Sequence, residues 1–108
     1  MTNTANDQST QTILNCFRLC LQCAAECIDQ GKKENAQCIK LCYACAEACL
    51  FCIRLMSSGL PQSNSACQTC ADLCDACAAE CEKMDGGLMR ECAESCRQCA
   101  TACREMAA

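Results

Sequence analysis

The sequence predicts an all-α fold: an antiparallel, up-down-up-down four-helix bundle with a cysteine-lined core. Three observations predict it. Eighteen cysteines among 108 residues fall into four groups in which the spacing alternates strictly between three and four. The residues between them are largely Ala, Leu, Glu, Gln, Arg and Lys, which are good helix formers. Every glycine lies outside the groups, where helices commonly end. An alternation of three and four averages 3.5 residues, the seam of helices that pack at shallow angles. Cysteines carried on loops or strands would not keep that register over four or five positions.

The elements follow in order. Residues 1–11 (MTNTANDQSTQ) read as a flexible polar tail, and residues 12–108 as the bundle. Cys16, Cys20, Cys23 and Cys27 place the first helix at about residues 12–29, closed by Gly31. Cys38, Cys42, Cys45, Cys49 and Cys52 place the second at about 34–57, before Gly59 and Pro61. Ser63, Asn64 and Ser65 can cap the third, which carries Cys67, Cys70, Cys74, Cys77 and Cys81 over about 63–84. Gly86 and Gly87 separate it from the fourth, at about 88–106, with Cys92, Cys96, Cys99 and Cys103. The gaps are short, which favours antiparallel neighbours.

The seam continues past the cysteines. Ile13, Met56 and Met106 extend it at one end, near Leu60, and antiparallel packing makes that end greasy and closed. Met84 and Met89 meet at the other end, beside Asp29, Gln30, Lys32, Lys33, Glu34, Asn35 and Asp85, which makes that end wetter and more open.

Composition excludes several functions. Net charge is −4 with both signs mixed along the chain, and only one Tyr and two Phe are available to stack on bases, so nucleic acid is not an expected partner. No stretch reaches the roughly 18 apolar residues of a membrane span. The N-terminal residues have no basic and apolar signal-like run, so a cytoplasmic location is expected, where thiols stay reduced. There is no His, hence no Cys–His dyad, and no phosphate loop or acid/base set; the chain is not expected to be an enzyme.

So many thiols on one seam give up core stability, because Leu or Ile would bury more apolar area at about 25 cal/mol per Å². The functional gain is sulfur. Thiolate is soft and selects Cu(I), zinc or iron–sulfur clusters. Residues three or four apart on a helix have Cβ atoms about 5–6 Å apart, so their sulfurs can converge on one ion. Buried thiolates need counter-charge, and one Cu(I) per thiolate supplies it, giving an expected load of about one ion per cysteine. Storage of many Cu(I) ions is therefore the expected function. The alternative is a zinc or mixed soft-metal buffer, although zinc prefers closed tetrahedral sets and often His. A thiol redox protein comes third: six C-x-x-C pairs are present, but no βαβ unit to display them. The spacing needed for an iron–sulfur cluster is absent. Met84 and Met89 are candidate thioether ligands that receive ions and pass them inward, a role weighed against gap filling; Met56 and Met106 read as filler.

This ladder of C-x-x-x-C-x-x-C-type helices resembles the bacterial four-helix-bundle copper storage proteins, in particular their cytosolic branch. The resemblance covers roughly residues 12–108. It implies a tetramer of bundles, each holding Cu(I) on Cys thiolates, and makes every cysteine a candidate ligand. Many members place His near the bundle mouth; here Met84 and Met89 are the candidates for that place. Association has separate support in Leu14, Phe17, Leu21 and Ile28 on helix 1, and Ile39, Tyr43, Leu50, Phe51 and Ile53 on helix 2. These apolar residues lie off the cysteine seam or exceed what one cysteine face can use, so helices 1 and 2 are expected to form the oligomer interface. A copper chaperone is a candidate partner for delivery.

Overall fold

The structure, a computed structural model, describes residues 4–107. It contains α1 (Thr4–Gln30), a single 3₁₀ turn (Lys33–Asn35), α2 (Ala36–Ser58), α3 (Ser63–Glu82) and α4 (Gly87–Ala107). Residues 1–3 of the expected tail, and Ala108 of the expected bundle, lie outside the described residues. From Thr4 onward the chain is helical, eight residues earlier than the seam alone predicts. Nothing there breaks a helix: Ala5, Gln8 and Gln11 are helix formers, and Asp7 in the first turn favours the positive end of the helix dipole. Thr12 Oγ1 donates to the Gln8 carbonyl at 3.0 Å, inside the continuing helix.

The other boundaries follow local chemistry. Gly59 closes α2 in the left-handed region at φ 73°, which a side chain would resist. Gly31 does the same after α1 at φ 65°, its N–H returning to the Ile28 carbonyl at 3.0 Å. Helix α3 stops at Glu82 rather than 84, because the Lys83 and Met84 N–H groups close onto the Glu80 and Cys81 carbonyls in a tightened last turn.

Each helix packs on its chain neighbours, and α1 packs on α4 to close the ring. The antiparallel sense shows in the sulfurs. Cys52 at the end of α2 meets Cys67 near the start of α3, and Cys27 at the end of α1 meets Cys38 near the start of α2. The molecule measures 45 × 22 × 18 Å, a long narrow bundle. Its axis is filled by the eighteen cysteines, every one at most 2% exposed. Between them sit small residues, Ala24, Ala46, Ala71, Ala78, Ala93 and Ala100, which let the helices approach closely. Ile13, Leu19 and Met89 are the large apolar side chains buried with them.

The outer faces differ. On α3 and α4, Arg97 pairs with Asp75 at 3.2 Å and Glu82 at 3.0 Å, and Arg104 with Asp75 at 2.7 Å and Asp72 at 3.4 Å. On α1 and α2 large apolar side chains, Leu14, Leu21, Ile28, Tyr43 and Phe51, are exposed among charged residues such as Arg18, Glu26 and Lys40. Among the described residues no helix is long and apolar enough to cross a membrane.

Candidate metal centre

An alternation of three and four keeps each cysteine on the inward stripe of its helix, and four such stripes face one another. The sulfurs consequently form one column down the bundle axis. Near its middle, Cys16 Sγ lies 4.0 Å from Cys20, 3.8 Å from Cys45, 4.0 Å from Cys74 and 3.8 Å from Cys96, thus touching thiols from all four helices. The column runs on toward the wetter end through Cys20–Cys92 at 3.9 Å, Cys42–Cys77 at 3.7 Å, Cys23–Cys81 at 3.8 Å and Cys38–Cys81 at 3.9 Å. Toward the other end it passes through Cys70–Cys74 at 4.0 Å, Cys49–Cys70 at 3.8 Å, Cys49–Cys99 at 3.9 Å and Cys52–Cys67 at 3.0 Å.

Those spacings suit a soft ion. Three thiolates around a metal at about 2.3 Å stand about 4 Å apart, and most of the observed separations already lie there. Sets of thiols whose sulfurs all lie within 4.8 Å of one another include Cys16, Cys49, Cys74 and Cys99; Cys16, Cys20, Cys45 and Cys96; Cys20, Cys77, Cys92 and Cys96; Cys23, Cys42, Cys81 and Cys92; and Cys23, Cys27 and Cys38. The sets share members, so they are windows on a continuous array rather than separate tetrahedral sites.

Within a helix, the close sulfur pairs are four apart: Cys16–Cys20, Cys38–Cys42 and Cys70–Cys74 at 3.9–4.0 Å. Among the described residues no C-x-x-C pair is joined by a thiol hydrogen bond, and Cys42, Cys45, Cys52 and Cys96 pair with thiols of other helices instead. The dithiol geometry that a C-x-x-C redox motif needs is not assembled. All eighteen cysteines are free thiols.

Burial disfavours a charged thiolate. Burial pushes the Cys67 thiol up from its ordinary value. Burial, then the charge of Cys38, pushes Cys27 up to about 11. Ions entering the column must therefore displace protons.

At the wetter end, Met89 is 3% exposed and its Sδ accepts from the Cys23 thiol at 3.3 Å, which adds a thioether to the column. Met84 is partly buried against the same core, and the two methionines line a surface pocket with Gln30, Lys32, Glu34, Asn35, Glu80, Lys83 and Asp85. Asn35 belongs to that polar group in sequence, yet it is only 1% exposed. Its Nδ2 donates to the Cys27 carbonyl at 3.0 Å and to Gln30 Oε1 at 2.9 Å, fastening the turn before α2 over the end of α1. A burying Asn has no periodic signal in the sequence; only its position beside a helix boundary sets it apart. At the opposite end Ile13 is fully buried and Met56 and Met106 are partly buried against the core.

The family model described as copper storage protein matches residues 2–108. Among solved structures, the Cu(I)-bound copper storage protein BsCsp3 is similar, with 31% identity, a TM-score of 0.89, and coverage of 96% of this chain and 99% of that one. Copper storage protein 3 of Bacillus subtilis in its apo form is 32% identical with a TM-score of 0.89, over 94% of this chain and 98% of that one. A protein of Nitrosospira multiformis is 38% identical with a TM-score of 0.87, over 98% of this chain and 97% of that one. No curated protein sequence matches the chain. With the match spanning nearly the whole length and the thiol column in place, the chain belongs to the copper storage protein family.

Proposed function

We propose that this chain stores Cu(I) in the cytoplasm, holding many ions on Cys thiolates inside the bundle without catalysing a reaction on them. The observation that carries the reading is the continuous column of eighteen buried thiols. Membership of the copper storage family supports it, as does the likeness to a relative described in its Cu(I)-bound form. A reducing compartment is what keeps so many neighbouring thiols free. One Cu(I) per thiolate leaves the dry interior near neutrality.

Zinc buffering is the reading that the four-thiol sets favour, since tetrahedral zinc uses such sets. Two features stand against it. The sets overlap at Cys16, Cys20, Cys23, Cys92 and Cys96, so filling one dismantles the next. A zinc ion on four thiolates also leaves two negative charges in an apolar interior, with no His or buried cation beside them. Protein purified anaerobically from cells fed both metals, with its metal content measured, decides between them. Copper in several-fold excess over zinc is expected; predominantly zinc would establish the buffer instead.

Met84 and Met89 are the residues through which ions are proposed to arrive, Met89 passing them to Cys23. The apolar faces of α1 and α2 are proposed to join four bundles into a tetramer, and the polar end to receive a copper chaperone. Sedimentation of the reduced protein tests the assembly: a tetramer is expected, and a glutamate at Phe51, which is 57% exposed, should dissociate it without unfolding the bundle.

A further inference from the structure

The run of sulfur does not stop at the last cysteine of the greasy end. Met56 stands one turn beyond Cys52 on α2, and its Sδ accepts from the Cys52 thiol at 3.6 Å. Cys52 Sγ in turn lies 3.0 Å from Cys67 Sγ on α3. The three sulfurs thus form a connected chain through Cys52, and both thiols are buried.

A methionine at a bundle end is ordinarily a filler of irregular gaps. Three features of Met56 go beyond filling. Its sulfur, rather than its methyl alone, lies against the Cys52 thiol. Met106, three residues beyond Cys103 on α4 and also partly buried against the core, accepts no thiol hydrogen bond among the described residues. And the thiols thin out here: Cys52 is the last on α2, Cys67 the first on α3, and α1 presents Ile13 one turn before Cys16, so that beside this pair only Cys70 and Cys103 stand near Cys52.

A soft monovalent ion between Cys52 and Cys67 has its charge already balanced by two thiolates. A third thiolate would add negative charge to the interior, whereas a thioether adds a soft donor and none. We infer that Met56 is a metal ligand, its thioether completing a three-sulfur Cu(I) site with Cys52 and Cys67 at the α2–α3 end. The Cys52–Cys67 separation would open from 3.0 Å toward the about 4 Å of a trigonal set. The thiol–thioether contact of Cys23 with Met89 at 3.3 Å puts a thioether at the other end of the column too. The closed end is then not merely a plug but the column's last binding position.

The inference rests on the proposed Cu(I) storage. Its test is an anaerobic Cu(I) titration of protein carrying methyl-¹³C methionine, followed by ¹H–¹³C spectra. Met56→Leu assigns the Met56 signal and keeps the volume and helix preference of the site. On loading, the Met56 methyl is expected to shift while that of Met106 stays near its starting position. Met56→Leu is expected to release one Cu(I) to a competing chelator at least roughly tenfold more readily than the unaltered chain, since losing even an outer partner of a metal ligand costs about that much. Met106→Leu should match the unaltered chain. A Met56 methyl that stays still up to full loading, or a Met56→Leu protein that retains every ion as firmly, overturns the assignment while leaving storage intact. A chain that takes up no Cu(I) overturns both.

Discussion

A cysteine on a bundle seam buries little apolar area, so the value of each one must be sought in its sulfur. Cys16 shows the consequence: with thiols of all four helices within 4.0 Å, it belongs to two of the four-thiol sets. Cys16→Ala is expected to lower Cu(I) capacity by at least one ion while costing the metal-free bundle about 1 kcal/mol or less, because it removes one small buried atom. Titration beside thermal melts checks both halves. Titration of the thiols themselves sets a pH dependence. Burial raises Cys27 from 9.0 to about 11, so between those values the unfolded chain has released a proton that the folded chain keeps. The Cys27 contribution is complete below pH 9 and lost as pH rises through 11, so the reduced, metal-free protein should melt at a lower temperature at pH 10 than at pH 7. Cu(I) binding has the opposite trend and tightens as pH rises, because each ion displaces thiol protons. The cysteines were fully legible as candidate ligands, since their register survives any uncertainty about helix ends. Asn35 was not: its burial depends on how the turn after α1 folds back, which no periodicity encodes.

Helix number, order and sense were legible because the seam, the glycines and the short gaps agree. The start of α1 was not, because the seam marks only where a helix is buried, and residues 4–11 extend it with good helix formers before the cysteines begin. The 3₁₀ turn before α2 likewise replaces two residues of expected helix. At the α2–α3 turn, Gly59 combines φ 73° with open space around its Cβ position, so backbone strain is the whole cost of a side chain there. Gly59→Ala is expected to destabilise the bundle by about 1 kcal/mol, seen as a melting temperature lower by roughly 5 °C, with Cu(I) capacity unchanged. The ion pairs of Arg97 and Arg104 tie α4 to α3 on the exposed face, where screening keeps such pairs weak, so the α3–α4 contact depends chiefly on the thiols and alanines beneath them.

Over the whole molecule, a metal store needs a cavity that exists before the metal arrives. Many small metal domains unfold when stripped, but here helix preference, the ring of four contacts and the buried alanines hold the bundle together without ions. Circular dichroism of reduced, metal-free protein should therefore show mainly helix; mostly coil would contradict this. What the sequence could not show is how the thiols divide, because only the packing of the helices reveals that the sets overlap and that thiols such as Cys42 and Cys45 pair across helices. Whether the column acts as one array is decided by an anaerobic Cu(I) titration of the reduced protein against a chromophoric Cu(I) chelator. Retention of about one Cu(I) per thiol against the chelator is the predicted result, as charge balance in the interior requires. Binding that ends after a few equivalents, with the remaining thiols still free to react, would contradict it.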